Sequence, residues 1–224
     1  MSIDYTDSLQ EIAAITDVWC FSSASAGTLV SAADVALRAK AKRVAVHPLH
    51  VHIVWSWMEG KDTEVFAAFQ EPGMQAPDPS QLAAGICAAF KKGAAGVIIP
   101  GRREVISALL PVRHDLFFGK KLLVLIDLKN IGGRDWPEIF DDLKKMNADG
   151  VLLDTTGARS KGGSAAGADV CGKFYGFLEN FDNAFSGSVS VMSGNPEIME
   201  SVLRLARKMR PDIAKGLRFF VEHR

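Results

Sequence analysis

The 224-residue sequence lacks the marks of several large functional classes. It has no excess charge: 26 Lys and Arg stand against 26 Asp and Glu, so no net field favours nucleic acid or an anionic membrane, and any anion site must be local. It has three cysteines, Cys20, Cys87 and Cys171, an odd number at wide spacing, which argues for reduced thiols rather than a disulfide frame or a zinc site. No apolar run is long enough to span a bilayer, and residues 1–10 lack the basic, apolar and small-residue order of a leader. A mature cytoplasmic protein without a membrane partner is therefore expected. Neither GxGxxG nor GxxxxGK[ST] occurs, which removes the usual fingerprints of nucleotide phosphate binding. No basic and aromatic residues interleave as they do on nucleic-acid surfaces, so Trp19, Trp55, Trp57, Trp136 and the 13 Phe read as core or interface.

What the sequence does have is a repeated alternation of short apolar runs with helical patterns, in a chain that is 48% hydrophobic. The runs at residues 17–23, 43–48, 64–70, 96–101, 121–129, 150–154 and 188–192, with an eighth inside 213–221, read as strands. Helical patterns fall at 5–15, 24–42, 51–58, 80–93 (with Ser80 as cap), 104–110, 138–146, 170–178 and 197–209. Strands this apolar have no face to give to water, so they belong in a covered parallel sheet. The expected fold is a single (β/α)8 TIM barrel made by residues 1–224 as one domain, with an open doubly wound sheet as the second choice.

In such a barrel the carboxyl ends of the strands build one site, which makes their tips the candidate list. The stretch Gly150-Val-Leu-Leu-Asp154 ends in Asp154, Thr155 and Thr156 and runs into a loop rich in Gly, Ser, Arg and Lys. Asp154 is a candidate acid or base there, or simply the cap of the next turn. Asp127 and Lys129 close the longest apolar run two residues apart, a spacing that puts both on one face of a strand. A lysine at an apolar strand tip can offer a free amine to a carbonyl, so Lys129 is the candidate imine nucleophile; its ordinary role would be to reach water and pair with a carboxylate. Lys161 is the reserve amine and a substrate contact, with His47 and Gln70 beside it on the substrate-binding list. His47, His50 and His52 do not supply the converging ligands a zinc site needs, and neither a metal nor another cofactor is expected. Ser193, Gly194 and Asn195 precede a helix, and with Arg218 they have the composition of a phosphate cradle, or of an ordinary turn and helix cap.

Gly150-Val-Leu-Leu-Asp154-Thr155, the helix and strand between Gly85 and Gly101, and Arg210-Pro-Asp-Ile-Ala-Lys-Gly-Leu-Arg218 resemble strands of the (5-formylfuran-3-yl)methyl phosphate synthase family. The resemblance implies a small barrel related to class I aldolases that builds a furan from glyceraldehyde 3-phosphate by lysine imine chemistry. Asp154 matches that family's strand-six aspartate. The family's early lysine would fall near Val46-His47-Pro48, where none stands, and its strand-four lysine in the run Val97 to Ile99; Asp127-Leu-Lys-Asn130 lies on a later strand. Val44-Ala-Val-His-Pro48 and Ala148-Asp-Gly-Val-Leu-Leu-Asp-Thr-Thr-Gly157 are also similar to deoxyribose-phosphate aldolases, whose imine lysine would align with Leu153.

These observations lead to an aldolase-type lyase acting on a small phosphorylated carbonyl compound, with self-association into a homo-oligomer left open. The rival expectations are a barrel that has lost its lysines and serves as a binding or assembly subunit, and a divergent deoxyribose-phosphate aldolase-like enzyme.

Overall fold

Apolar strands that alternate with amphipathic helices bury both sheet faces when the sheet curls into a cylinder inside a helical coat. A computed structural model, which describes residues 5–20, 23–70, 78–131, 136–156, 164–182 and 185–223, has this form. The strands are β1 (Thr16–Cys20), β2 (Arg43–Val46), β3 (Glu64–Ala68), β4 (Gly96–Pro100), β5 (Lys121–Asp127), β6 (Gly150–Asp154), β7 (Ser188–Met192) and β8 (Arg218–Glu222). All pair in parallel and in chain order, and β8 returns to β1 to close the barrel. The coat is α1 (Tyr5–Ala14), α2 (Ala26–Arg38), α3 (Val51–Met58), α4 (Pro79–Lys91), α5 (Arg103–Leu109), α6 (Arg113–Leu116), α7 (Trp136–Met146), α8 (Ser164–Glu179), α9 (Pro196–Met209) and α10 (Pro211–Gly216). No helix among the described residues is long and apolar enough to cross a membrane.

The period of two along each strand divides the core. Trp19, Ala45, Phe66, Ala68, Ile98, Leu123, Leu125, Leu152, Met192 and Phe220 pack together inside the barrel. Their neighbours in sequence, among them Val44, Val97, Val124, Leu153 and Val191, join the helices in the larger outer cluster. Close packing inside requires Gly96 on β4, because a Cβ there would lie 2.4 Å from the Phe66 ring and 2.8 Å from the Lys121 carbonyl.

Side-chain caps set the starts of several helices. Ser25 begins α2 by accepting the Thr28 N–H at 3.1 Å, a cap of the kind worth about 1 kcal/mol. The cap of α4 is Asp78 rather than Ser80: its carboxylate accepts the Ser80 N–H at 2.9 Å, and Pro79 occupies the first turn, where it loses no hydrogen bond. Two strand limits differ from the sequence expectation in ways that matter for function. The fifth strand ends at Asp127, and Leu128–Asn130 form a 3-10 turn; the eighth begins at Arg218, so that residue lies at the amino end of its strand. All three cysteines are free thiols, and burial pushes that of Cys20 up to about 11.

Candidate active site at the carboxyl mouth

Parity and register bring two carboxylates together. Asp127 and Asp154 are the last residues of β5 and β6, and they are register partners on strands about 4.8 Å apart. Each lies two residues beyond an interior side chain, Leu125 or Leu152, so both face inward at the carboxyl-terminal mouth.

Their surroundings differ. Asp154 is 1% exposed, and one of its oxygens accepts the backbone N–H of Thr156 at 2.8 Å and its hydroxyl at 2.7 Å. Burial is the largest influence on this carboxyl and holds its pKa above the usual value; the Thr156 hydrogen bonds oppose the rise and the charge of Asp127 adds to it. Asp127 is half-buried, and its carboxylate accepts the Lys129 N–H at 2.9 Å, which caps the turn that follows. The buried Thr155 fixes the β6 tip to β7, its hydroxyl donating to the Met192 carbonyl at 2.6 Å.

The lysine expected to complete this pair is elsewhere. Lys129 is exposed on the 3-10 turn, so the strand geometry that would have aligned it with Asp127 does not extend that far. Its carbonyl accepts from the Lys173 ammonium at 3.4 Å. Leu153 faces the helical coat, so that position does not open into the barrel.

His47 directly follows β2 and is half-buried; its Nδ1 accepts the Leu49 N–H at 3.3 Å, which leaves Nε2 to carry the proton of the neutral ring. Its ring meets His50 edge-on at 6.0 Å. Gln70 is half-buried two residues past β3, and Lys161 lies outside the described residues. Among the described residues no three His, Cys, Asp or Glu side chains group closely enough to hold a metal ion.

The expected phosphate cradle comes apart. At the turn before α9 the Ser193 N–H donates to the Phe220 carbonyl at 3.1 Å, the Asn195 N–H to the Ser193 hydroxyl at 3.2 Å, and the Glu197 N–H to the Asn195 side chain at 2.9 Å. Those donors are engaged, Pro196 has none, and Gly194 is exposed at the bend. Arg218 is not near this turn's side of the barrel. It sits at the opposite, amino-terminal end, where Nε and Nη2 donate to Asp17 at 2.8 and 2.7 Å. Arg43 joins from β2, its Nε donating to Asp17 at 2.8 Å and its Nη2 to Ser190 at 2.9 Å. Sequence reading missed this buried network, although Asp17, Arg43 and Arg218 each interrupt an apolar run at the parity of the barrel interior.

No family model matches the chain, and neither does any curated protein. Solved structures do. A Toxoplasma gondii protein classed as a candidate deoxyribose-phosphate aldolase is 14% identical, with 97% of this chain and 92% of that one covered at a TM-score of 0.73. The tetrameric deoxyribose-phosphate aldolase of Aeropyrum pernix is 12% identical, with 98% and 94% covered at 0.68. Orotidine 5'-monophosphate decarboxylase of Sulfolobus solfataricus is 10% identical, with 92% and 87% covered at 0.53. These likenesses establish the fold, a (β/α)8 TIM barrel.

Proposed function

We propose that the chain is an aldolase-type lyase whose substrate is a small phosphorylated carbonyl compound, with Asp154 and Asp127 moving protons at the mouth. The observation that carries this reading is the carboxylate pair itself: two inward-facing acids on adjacent strand ends, one buried with a raised pKa and one partly open to water. Two acids held in unlike surroundings divide into proton donor and proton acceptor. Asp127 as carboxylate takes a proton from the carbon beside the substrate carbonyl, and protonated Asp154 gives one to the carbonyl oxygen. The product is an enediol, and the pair has exchanged its proton with no net change. His47 and Gln70, at the ends of β2 and β3, contribute substrate contacts, and the Ser193–Asn195 turn approaches the phosphate through the exposed Gly194.

The covalent version of the proposal adds an imine on Lys129 or Lys161, with glyceraldehyde 3-phosphate as the substrate to assay first, as in the furan phosphate synthases. Borohydride reduction in the presence of that triose phosphate, followed by peptide mass spectrometry, tests it: the expected adduct is on Lys129 or Lys161. Lys121 at the opposite barrel end is the internal control, and the absence of any lysine adduct under turnover removes the imine step while leaving the proton pair intact. A second reading, a barrel that binds a partner without lysine chemistry, draws support from one observation: among the described residues no lysine faces the interior at the mouth. Absence of triose phosphate turnover and of any borohydride-trapped adduct in the native protein would favour it. Sedimentation velocity tests the accompanying proposal of a homo-oligomer.

A further inference from the structure

The amino-terminal end of the barrel has its own cavity, of about 480 Å³, lined among others by Arg43, Glu64, Lys121, Ser188 and Arg218. The interior positions of this lowest layer carry three cations, Arg43, Lys121 and Arg218, and two anions, Asp17 and Glu64. Glu64 is committed to Lys121, whose ammonium donates to its two oxygens at 2.5 and 2.7 Å. Asp17, fully buried, accepts from both guanidiniums and also from the Lys42 and Arg43 backbone N–H groups, each at 3.0 Å. One carboxylate thus faces two guanidiniums, which leaves a positive charge uncompensated where its desolvation is costly. Burial, joined by the charge of Arg218, disfavours the charged form of Arg43 more than Asp17 and Glu64 restore it.

The unused donors point the same way. Arg43 spends Nε and Nη2 on Asp17 and Ser190, and Arg218 spends Nε and Nη2 on Asp17; neither Nη1 has an acceptor among the described residues. Neither is sealed in protein, since the Trp19 indole nitrogen is the one buried side-chain donor without a partner in the described structure. The Arg43 side chain is 8% exposed, its guanidinium lies over the Phe220 ring at 5.0 Å, and it and Arg218 both line the cavity. Two arginines that line one cavity, each with a donor to spare and together facing a single carboxylate, suit a tetrahedral or planar oxyanion.

We propose that this cavity is a binding site for a small oxyanion of the phosphate class, held by Nη1 of Arg43 and Arg218, and separate from the site at the mouth. The exposed Lys42, Asp62 and Asp149 at its rim sum to one negative charge that water screens, so the net preference is set by the buried layer. An anion bound only to the folded state raises the melting temperature saturably.

The test is a thermal-shift titration with sodium phosphate at constant ionic strength, sodium chloride making up the balance. The expected result is a saturating rise in Tm in the native sequence and in Gly194→Asp, which places a repelling charge at the mouth turn. The rise should vanish in Arg218→Gln and in Ser188→Glu. The latter sets a carboxylate at the edge of the cavity while leaving Asp17 and its partners intact, and it decides the matter if Arg218→Gln does not fold. A rise that persists in Ser188→Glu, that is lost in Gly194→Asp instead, or that chloride reproduces would overturn the proposal. None of these outcomes depends on catalytic activity.

Discussion

Asp127 and Asp154 occupy paired positions at the last residues of β5 and β6, and the carboxyl of Asp154 feels the charge of Asp127 directly. The pair owes its placement to strand parity: Leu123, Leu125 and Asp127 share one face of β5, and Leu152 and Asp154 share one face of β6. A column of interior leucines therefore ends in acids where the barrel opens.

Asp154→Asn should abolish most turnover of the triose phosphate substrate, by about 100-fold or more, the scale of a lost general acid or base. It should not destabilise the fold comparably. The folded-state pKa of Asp154 lies above its unfolded value, so the native protein holds a proton that the unfolded chain releases as pH rises. Stability is thus lost as pH climbs from the ordinary carboxylate range, near about 4, toward the raised folded value, and the loss is complete above it. Replacing Asp154 removes this loss. Urea denaturation from pH 3 to 8 should show the Asp154→Asn variant and the native protein diverging as pH rises, the variant gaining; a gap that widens toward low pH would contradict the assignment.

Asp17→Asn should be among the most destabilising single changes in the chain. The substitution leaves Arg43, 7% exposed, and Arg218 with no buried counter-charge. Breaking a buried pair by removing one partner costs about 3–5 kcal/mol, because the other charge stays desolvated. Ser190→Ala removes one neutral acceptor from Arg43 and should cost only about 1–2 kcal/mol. Chemical denaturation midpoints measure both, and similar midpoints for the two variants would show that Asp17 is not the keystone of the floor.

The barrel was legible in the sequence because it rests on short-range signals: apolar runs of strand length, helix caps and their repetition. β7 and α3 fall where the pattern puts them, at Ser188–Met192 and Val51–Met58. Asp154 was legible for the same reason, as a polar residue ending a buried strand. The expected alignment of Lys129 with Asp127 fails because the rule that residues two apart share a face holds only while the strand lasts, and the Asp127 carboxylate ends β5 by capping the next turn. Arg218 was misread by its position in the run. A helix, α10, takes up residues 211–216, so the strand starts at Arg218 and the guanidinium falls at the opposite end of the barrel. Its partner Asp17 lies 201 positions away in sequence, and no local pattern announces a contact of that range.

Gly93→Ala should be costly for two reasons that can be separated. Gly93 follows α4 with φ of +102°, a backbone region that side chains with a Cβ rarely adopt, and an added Cβ would lie 2.4 Å from Cγ of Trp55. The backbone conformation alone should cost about 1 kcal/mol and the overlap about 1–3 kcal/mol more. Trp55→Ala removes the ring from that space, so in its background Gly93→Ala should retain only the backbone cost. A double-mutant cycle by urea denaturation therefore expects a coupling of about 1–3 kcal/mol between the two positions. Simple additivity would mean that the α4–β4 turn moves to accommodate the methyl group and that Trp55 does not hold it in place.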